Sequence, residues 1–293
     1  IETQTGNFNK YNPITESFSL IKKDDIDFVN IKGSSLGAFC VESKGNQWRG
    51  GLSKPIGLNR IDSKNGKEIT FKHNPSDPTS LINDKVYSIY RDKKGNLWVG
   101  TFDGLDKLDE KTGKFSHYRN DPQNSNSLPD NWVWPIYEDS HGNLWIGTVR
   151  GGVSKFNPAT NTFANFNNDP DDPTSINDNF IFSIYEDRSG IIWIGTNTGG
   201  VNYFHPSSQV FERFINYPNN KNSLSDNAVL AMYADKEGNY WIGTREGGLD
   251  KFNYDKNSFT NYSSNPSNSN SLINNSVLAI IEDRSGLLWL GTF

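Results

Sequence analysis

The sequence has little of several features that would indicate particular functions. Its 293 residues include one cysteine and one methionine, carry a net charge of −5, and contain no run of basic residues. With Cys40 alone, no disulfide can form within the chain, and the lone thiol does not identify the cellular compartment. Without a basic run, we expect neither nucleic acid nor an acidic membrane surface as a partner.

Two other features are missing from the sequence. No apolar run approaches the roughly 18 residues of a membrane-spanning helix, and the chain has neither a starting Met nor a signal peptide. We therefore expect a mature or excised soluble piece that itself makes no contact with a membrane.

What the sequence does contain is a repeat. Aromatic residues make up 13% of the chain, and six similar segments, such as GNLWVGT, GNLWIGT and GIIWIGT, recur at intervals of 50, 47, 48, 48 and 48 residues. Their tryptophans are Trp48, Trp98, Trp145, Trp193, Trp241 and Trp289. A fixed period of this length, filled with short apolar runs and turn residues, predicts an all-β fold, a β-propeller with one four-stranded blade per repeat.

The repeat that begins at Asn179 shows how the strands of a blade are expected to follow one another. From the innermost to the outermost, the predicted strands cover residues 181–185, 191–196, 201–205 and 210–214. Short β-rich runs bounded by Gly, Asn, Asp and Pro are typical of propeller blades and leave no room for helices. Cys40 aligns with tyrosines of the innermost strands, so we expect it in the core.

A turn of the form Asp-x-x-Gly-x-x-Trp precedes each tryptophan, with Glu42 replacing Asp in the first copy. The Asp residues are Asp92, Asp139, Asp187, Asp235 and Asp283. An Asp carboxylate accepts hydrogen bonds from the backbone of its own turn, and Gly supplies a left-handed position. Because these carboxylates repeat with the fold, we interpret them as structural rather than as catalysts or calcium ligands. The Asp residues of the long loops, as in Asp169, Asp171 and Asp172, are read as turn residues in the same way.

The two ends of the chain carry complementary halves of one blade. Residues 8–13 match the third-strand segment 153–158, and Phe18 matches the fourth-strand Phe163, whereas residues 277–293 supply only a first and a second strand. The prediction is a single domain over residues 1–293, with six blades and the last one built from residues 1–21 plus 277–293. Pairing the halves would leave no exposed edge strand. A seven-bladed or incomplete ring is the alternative.

The segments SIYEDRSGIIWIGTNTGGV and AMYADKEGNYWIGTREGGLDKF resemble the two-component-regulator propeller repeat, and the resemblance covers essentially the whole chain. It implies the extracytoplasmic sensor region of a bacterial hybrid two-component system, in the periplasm or outside the cell. In that family the propellers bind a nutrient, often a glycan fragment, and pass the signal to an immunoglobulin-like module, a transmembrane helix and a histidine kinase. Sensor propellers of the family are usually seven-bladed, whereas six blades are counted here.

Positions at which the repeats differ indicate where a ligand would bind. The residue before each inner strand varies, and so does the loop between the second and third strands. Of these residues, Trp132 and Phe180 suit stacking on a sugar ring, and Arg150, Arg245 and Asp103 suit hydrogen bonds to its hydroxyl or acidic groups. Phe102 and Lys85 complete the candidate set. The alternative is that surface loops vary because the surface tolerates it. Trp134 aligns with Tyr87, Phe182 and Leu230, so it is predicted to be a core residue.

The sequence favours a ligand-sensing domain that is not an enzyme. The four histidines fall at unlike positions in the repeat, and no nucleophile elbow, phosphate loop or metal-ligand spacing occurs. No cofactor, metal or catalytic residue is predicted. The expected partners are a small molecule, for which an oligosaccharide is the leading candidate, and the signalling module of the same receptor. The alternatives are a protein-interaction platform and, less favoured, a polysaccharide lyase or glycosidase.

Overall fold

The structure is a computed structural model, and it describes residues 7–12, 17–22, 39–42, 45–51, 55–206, 210–283 and 285–292. Within these ranges every regular element is a β-strand, and all strand pairs that make up the sheets are antiparallel. The strands form six four-stranded sheets. The predicted all-β fold with blades of four strands is therefore confirmed at the level of its sheets. That six blades close one ring stays a prediction.

The strands fall into two compact units, Ser35–Ile184 and Ile1–Ser34 with Tyr185–Phe293. The first of these, the Ser35–Ile184 unit, contains three complete sheets, each ordered from the inner to the outer strand. Their strands are β3 (Phe39–Val41), β4 (Gln47–Arg49), β5 (Leu58–Ile61) and β6 (Glu68–Phe71); β7 (Val86–Arg91), β8 (Leu97–Thr101), β9 (Gly104–Asp109) and β10 (Lys114–Tyr118); and β11 (Val133–Glu138), β12 (Leu144–Thr148), β13 (Val153–Asn157) and β14 (Thr162–Phe166).

The unit boundary falls within β15 (Ile181–Glu186), the inner strand of the fourth sheet. The other strands of that sheet and the whole of the next belong to the second unit. They are β16 (Ile192–Thr196), β17 (Val201–Phe204) and β18 (Phe211–Phe214), followed by β19 (Val229–Ala234), β20 (Tyr240–Thr244), β21 (Leu249–Asn253) and β22 (Ser258–Tyr262). The four strands predicted after Asn179 agree with β15 to β18 to within one residue at each end.

The sixth sheet combines strands from both ends of the chain. Its strands are β1 (Asn7–Asn12), β2 (Ser17–Lys22), β23 (Val277–Glu282) and β24 (Leu288–Thr292), in the order β2–β1–β24–β23. Tyr11 lies opposite Phe18 on one side and Leu288 on the other. Tyr11 is only 2% exposed, and its ring centroid lies 5.2 Å from that of Trp241 and 5.5 Å from that of Tyr262 in the neighbouring sheet. The segments 1–6 and 13–16 of the predicted closing blade lie outside the described residues.

The repeated Asp-to-Trp turn joins the first and second strands of each sheet, and its structure confirms the structural interpretation. In each Asp copy, the indole Nε1 of the tryptophan donates a hydrogen bond of 2.8–2.9 Å to the second carboxylate oxygen of the Asp six residues earlier. In the first copy, Trp48 Nε1 donates to Oε1 of Glu42 at 2.6 Å. The other Asp oxygen accepts backbone N–H groups of the turn, and the Gly has φ between 80° and 91°.

At Asp283 and Glu42, the hydrogen bonds outweigh the effect of burial on the pKa of the carboxyl. At Asp283, burial raises the pKa of the carboxyl, but hydrogen bonds from Ser285, Trp289 and the turn backbone lower it to about 2. The pKa of Glu42 is also below its ordinary value, against its burial and because of hydrogen bonds from Trp48 and Asn46. The lowered pKa values of Asp283 and Glu42 favour the ionised carboxylates that hold these two turns.

Apolar clusters fill the space between successive sheets within each unit. In the Ser35–Ile184 unit, Trp48 and Leu58 of one sheet pack with Val86, Leu97 and other residues of the next. Cys40 is half-buried against this cluster, so it lies at the edge of the core rather than inside it as predicted. The inner-strand position that it occupies is Tyr in the next sheets, and there too Tyr90 is only partly buried. Burial raises the pKa of the Cys40 thiol.

The third strands β5, β9, β13, β17 and β21 each bury one polar residue. These residues are Asn59, Asp106, Ser154, Asn202 and Asp250, all at most 5% exposed. Asp106 Oδ2 accepts the backbone N–H of Ile82 at 2.8 Å, and Asp250 Oδ2 accepts the N–H and hydroxyl of Ser225 at 3.0 and 2.7 Å. Asp106 and Asp250 thus fasten the long loop that precedes each of their two sheets to the third strand of that sheet.

Candidate ligand-binding surface

A repeated backbone hydrogen bond brings together the two variable positions of a sheet. The N–H of Phe102 donates to the carbonyl of Lys85 at 3.1 Å, and that of Val149 donates to the carbonyl of Trp132 at 3.1 Å. Each bond continues an antiparallel pair of inner and second strands by one residue, beyond pairs such as Val86 with Thr101. The residue before the inner strand and the loop after the second strand therefore lie side by side.

Five aromatic side chains of the Ser35–Ile184 unit form a continuous row, which we call the aromatic strip. Its members are Phe102, Trp132, Tyr87, Trp134 and Phe180. In that order, successive ring centroids are 4.9, 5.5, 5.2 and 5.8 Å apart. All four spacings lie in the range at which aromatic rings attract one another. The strip runs across the inner ends of three successive repeats.

The rings of the strip keep part of their surface open to solvent. Phe102 is 39% exposed, and Trp132, Tyr87, Trp134 and Phe180 are half-buried. This corrects the prediction that Trp134 is a core residue. Aromatic surface that is held rigidly and remains accessible is suited to binding a ligand.

Phe182 shows why the Trp134 prediction failed. At the same position of the repeat, Phe182 is 7% exposed and Leu230 is 4% exposed, as a core position requires. Trp and Tyr are larger, so the space between the inner strands does not enclose them completely. Phe182 stacks on Phe180, with centroids 4.4 Å apart, and supports the end of the strip from below.

One cation contacts the strip, and another follows Val149, whose N–H is hydrogen-bonded to the carbonyl of Trp132. The Lys85 ammonium lies 4.8 Å from the ring centroid of Phe102, within cation–π distance. Arg150 is exposed, and in the part of the chain that the structure describes its guanidinium has no hydrogen bond or ion pair, although its backbone N–H donates to Asp130 at 3.1 Å. Both cations are therefore able to donate to a ligand.

Asp103 is already engaged by a residue that sequence reasoning missed. Arg119 forms an ion pair with the Asp103 carboxylate, and its Nε donates to the Asp103 carbonyl at 3.2 Å. Arg119 follows the end of the outer strand β10 in the same sheet, and no sequence motif signals the pairing. Asp103 is thus a support for its loop rather than an open acceptor.

Arg245 belongs to the other compact unit, where its guanidinium donates to Asn197 at 2.9 Å. The positions of that unit that correspond to the strip hold Ala228, Leu230, Ser276 and Leu278 instead of aromatic residues. The structure therefore brings together Lys85, Phe102 and Trp132 directly, and Phe180 through Trp134, while Arg245 is described only within its own unit.

Two of the four histidines, His117 and His73, contact loop backbone. His117 Nδ1 lies 2.5 Å from Asp106 Oδ1, and its Nε2 lies 2.8 Å from the carbonyl of Pro78. His73 Nδ1 lies 2.9 Å from the carbonyl of Leu81. Among the described residues, no group of three or more His, Cys, Asp or Glu side chains is arranged to hold a metal ion. The same residues include no helix with the length and hydrophobicity to cross a membrane.

The long-loop Asp residues hold turns as predicted. Asp169 Oδ1 accepts the N–H of Asp171 at 3.0 Å, and Asp172 Oδ1 accepts the N–H and hydroxyl of Thr174 at 2.8 and 2.6 Å. These are the Asx turns that favour Asp at such positions.

Repeated four-stranded antiparallel sheets, each with the same Asp-to-Trp turn between its first and second strands, define a protein built from β-propeller blades. The Ser35–Ile184 unit carries the aromatic strip, with the Lys85 ammonium against Phe102. Five segments match the two component regulator propeller repeat, at residues 80–103, 127–150, 175–198, 223–246 and 271–293. The chain therefore contains five copies of the two component regulator propeller repeat.

Solved structures with the same fold include domains of signalling proteins. The chain is similar to a Bacteroides thetaiotaomicron extracellular domain assigned to a hybrid two component system, with 25% identity and a TM-score of 0.72, over 100% of this chain and 38% of that one. A second extracellular domain from that organism, assigned to a one component system, is 18% identical with a TM-score of 0.61, over 99% of this chain and 39% of that one. The chain thus spans about two fifths of these relatives.

An enzyme also shares the fold. Virginiamycin B lyase from Staphylococcus aureus is 15% identical with a TM-score of 0.60, over 99% of this chain and 89% of the lyase. At this identity the similarity shows the fold alone. No curated protein sequence matches the chain significantly.

Proposed function

We propose that the chain is the ligand-sensing propeller region of a bacterial two-component signalling receptor and that it acts outside the cytoplasmic membrane, without catalysis. Similarity over the whole chain to an extracellular domain of a hybrid two component system supports this role. The observation that carries ligand binding is the aromatic strip with Lys85 at one end. Arg150 belongs to the loop whose Val149 is hydrogen-bonded to the backbone of Trp132.

The proposed ligand is an oligosaccharide. The half-buried rings of Trp132 and Phe180 suit stacking on the flat C–H faces of sugar rings. The cations at the strip favour a polar ligand over a purely apolar one. Lys85 and Arg150 donate hydrogen bonds to sugar hydroxyl or acidic groups. Because the aromatic side chains are already packed against one another, little side-chain freedom is lost when the ligand binds.

We further propose that the six sheets form one propeller over residues 1–293 and that the strip lies at the mouth of its channel. In a ring of blades, the inner strands line the channel, and the loops that carry Phe102 and Arg150 meet at one rim. Ligand binding transmits a signal only if it favours one arrangement of the propeller relative to the downstream module of the receptor. That module is the proposed protein partner.

The test is a calorimetric screen of oligosaccharides, with product analysis of every compound that binds. The probes are disaccharide to hexasaccharide series derived from cellulose, xylan, mannan and arabinan. Saturable binding with the sugar recovered intact is the expected result. Cleavage products would assign the chain to the lyases or glycosidases, and failure of every probe to bind would overturn the proposed oligosaccharide ligand.

Two variants localise the site. Trp132→Ala introduces alanine, the residue found at the same position of another repeat as Ala228. Arg150→Ala removes the exposed guanidinium. Each is expected to weaken binding about fivefold or more. Tyr217→Ala is the matched control, because Tyr217 is 57% exposed on a long loop of the other unit. Unchanged affinity in the combined Trp132→Ala and Arg150→Ala variant would exclude the strip as the site.

A further inference from the structure

The two rings selected from the sequence do not form one surface without the residues between them. In the part of the chain that the structure describes, no ring contact joins Trp132 directly to Phe180. Tyr87 lies 5.5 Å from Trp132, and Trp134 lies 5.8 Å from Phe180. The rings of Tyr87 and Trp134 are 5.2 Å apart and complete the path.

We infer that Tyr87 and Trp134 form the centre of the ligand site and make it specific for oligosaccharides long enough to cover several rings of the strip. This inference rests on the proposed oligosaccharide-binding function. It assigns a binding and specificity role to two inner-strand residues, one of which the repeat pattern places in the core.

Tyr87 and Trp134 lie where the pairing of the inner strand with the second strand is irregular. The register shifts between Val86 and Ser88 in one sheet and between Val133 and Ile136 in the next. Such irregularities re-aim side chains, and here they accompany the ring contacts of Tyr87 with Trp132 and Trp134. The ring contacts of the strip join three repeats into one surface.

The strip has limits at both ends. Lys85 ends it in its first repeat, by contact with Phe102, and Phe180 with Phe182 ends it in the third. The next repeats carry Ala228 with Leu230 and Ser276 with Leu278, which offer no aromatic face. A single sugar covers one or two rings, whereas a linear oligosaccharide is required to use all of them. Affinity should therefore rise with the number of sugar rings and then become constant.

The repeats themselves supply the variants for the test. Trp134→Leu and Tyr87→Leu introduce the residue that Leu230 and Leu278 provide at this position, so folding should be preserved. Trp134→Phe introduces the residue found at Phe182 and keeps an aromatic face. Binding of the disaccharide to hexasaccharide series is measured by calorimetry for the parent chain and each variant, with the melting temperature as the check on folding.

For the parent chain, affinity is expected to increase from the disaccharide to longer members of the series that binds. The Tyr87→Leu and Trp134→Leu double variant should bind the longest member about tenfold more weakly, with its preference for length abolished. Trp134→Phe should retain most of the affinity. If the Leu double variant fails to fold, the single Leu variants replace it.

The outcomes separate this inference from the proposed function. In one outcome, Trp132→Ala abolishes binding, but the Leu variants keep the affinity and length dependence of the parent chain. This outcome overturns the central role of Tyr87 and Trp134 and supports the proposed function. Equal affinity for all lengths in the parent chain also overturns the inference alone. If no oligosaccharide binds the parent chain, the inference and the proposed ligand are both overturned.

Discussion

The backbone N–H of Phe18 donates a hydrogen bond of 3.0 Å to the carbonyl of Asn270. The N–H of Phe115, Phe163 and Phe259 makes the corresponding bond to Thr79, Asn126 and Asn222 in three other repeats. In each case, a long loop is fastened to the outer strand of a sheet. The N-terminal strand β2 is therefore the outer strand of the sixth sheet, and it binds the long loop as the outer strands of the other repeats do.

Deleting residues 1–21 should severely destabilise the protein, although these residues contain no Trp motif. The deletion removes β1 and most of β2, exposes the edge of β24, and uncovers Trp241 and Tyr262, against which Tyr11 packs. Losing two buried aromatic side chains, Tyr11 and Phe18, should lower the melting temperature by at least about 10 °C. A chain lacking only residues 1–6 keeps both strands and is the control. A cooperative melt at the parental temperature would contradict the shared sheet.

Replacing the Asp of a recurring turn should test the link between Asp139 and Trp145. Asp139 is 3% exposed and accepts hydrogen bonds from Trp145 Nε1 at 2.9 Å and from the Asn143 N–H at 2.8 Å. Asp139→Ala leaves these buried donors without an acceptor, which should cost about 1–3 kcal/mol and lower the melting temperature by several degrees. Thermal unfolding followed by circular dichroism measures the change.

Two comparisons isolate the role of that carboxylate. Asp139→Glu should be milder than Asp139→Ala, because Glu42 holds the equivalent Trp48 in the first repeat. Asp169→Ala removes an exposed Asp that accepts one turn N–H and should have little effect. If Asp139→Ala were no more destabilising than Asp169→Ala, the hydrogen bond to the indole would contribute nothing measurable.

The strands and turns could be predicted because each repeat contains its own pattern. Apolar alternation and the Asp-x-x-Gly-x-x-Trp spacing act over a few residues, so β15 to β18 were located to within one residue from the sequence. The polar residue of the third strand was missed, because Asn59, Asp106 and Ser154 share hydrogen-bonding capacity rather than identity. Their common burial becomes visible only when the third strand is placed between its neighbours.

The candidate surface was predicted only in part, because its contacts join different repeats. Variation among repeats identified Lys85, Phe102 and Trp132, which the structure places in one row. The contact between Tyr87 and Trp132 depends on the packing of one inner strand against the next, which has no local pattern. Likewise, Arg119 meets Asp103 because the outer strand returns beside the loop of its own sheet.

Asp250 should make stability fall as the pH rises from about 4 to about 6. Burial raises the pKa of this carboxyl to about 6, although hydrogen bonds from Ser225 and Asn261 oppose the rise. Because the folded pKa lies above the unfolded value of 3.8, the folded state holds the proton more tightly, and the stabilisation present below about pH 4 is lost as the pH passes 6. The melting temperature of Asp250→Asn, relative to the parent, should therefore increase across this range. Asn59 and Asn202 at the equivalent positions show that Asn is compatible with the site. If the difference in melting temperature between Asp250→Asn and the parent is constant from about pH 4 to pH 7, the titration of Asp250 does not contribute to stability.

Deprotonation of His117 should lower the stability of the fold further at a higher pH than the titration of Asp250. Its two ring nitrogens face acceptors, the Asp106 carboxylate at 2.5 Å and the Pro78 carbonyl at 2.8 Å, so only the cationic imidazolium donates to both. The hydrogen bond to Asp106 raises the pKa of His117, against its partial burial and the nearby charge of Arg119. Since the folded pKa lies above the unfolded value of 6.5, the stabilisation is complete below about pH 6.5 and disappears as the pH rises through the folded pKa.

His117→Asn removes this titration and keeps a residue type that the fold accepts there, because Asn165 and Asn261 occupy the same register opposite the buried polar residue of their sheets. The melting temperature of the parent chain should decrease between about pH 6.5 and pH 9, and that of the variant should decrease less over the same interval. His141→Asn is the matched control, since His141 lies on an exposed turn and makes no bond to Asp106. Its pH profile should follow that of the parent. If the melting temperatures of the parent and His117→Asn change in parallel with pH, the imidazolium does not hold the Pro78 loop. If the two melting temperatures converge above the folded pKa, the protonated form of His117 is the stabilising one.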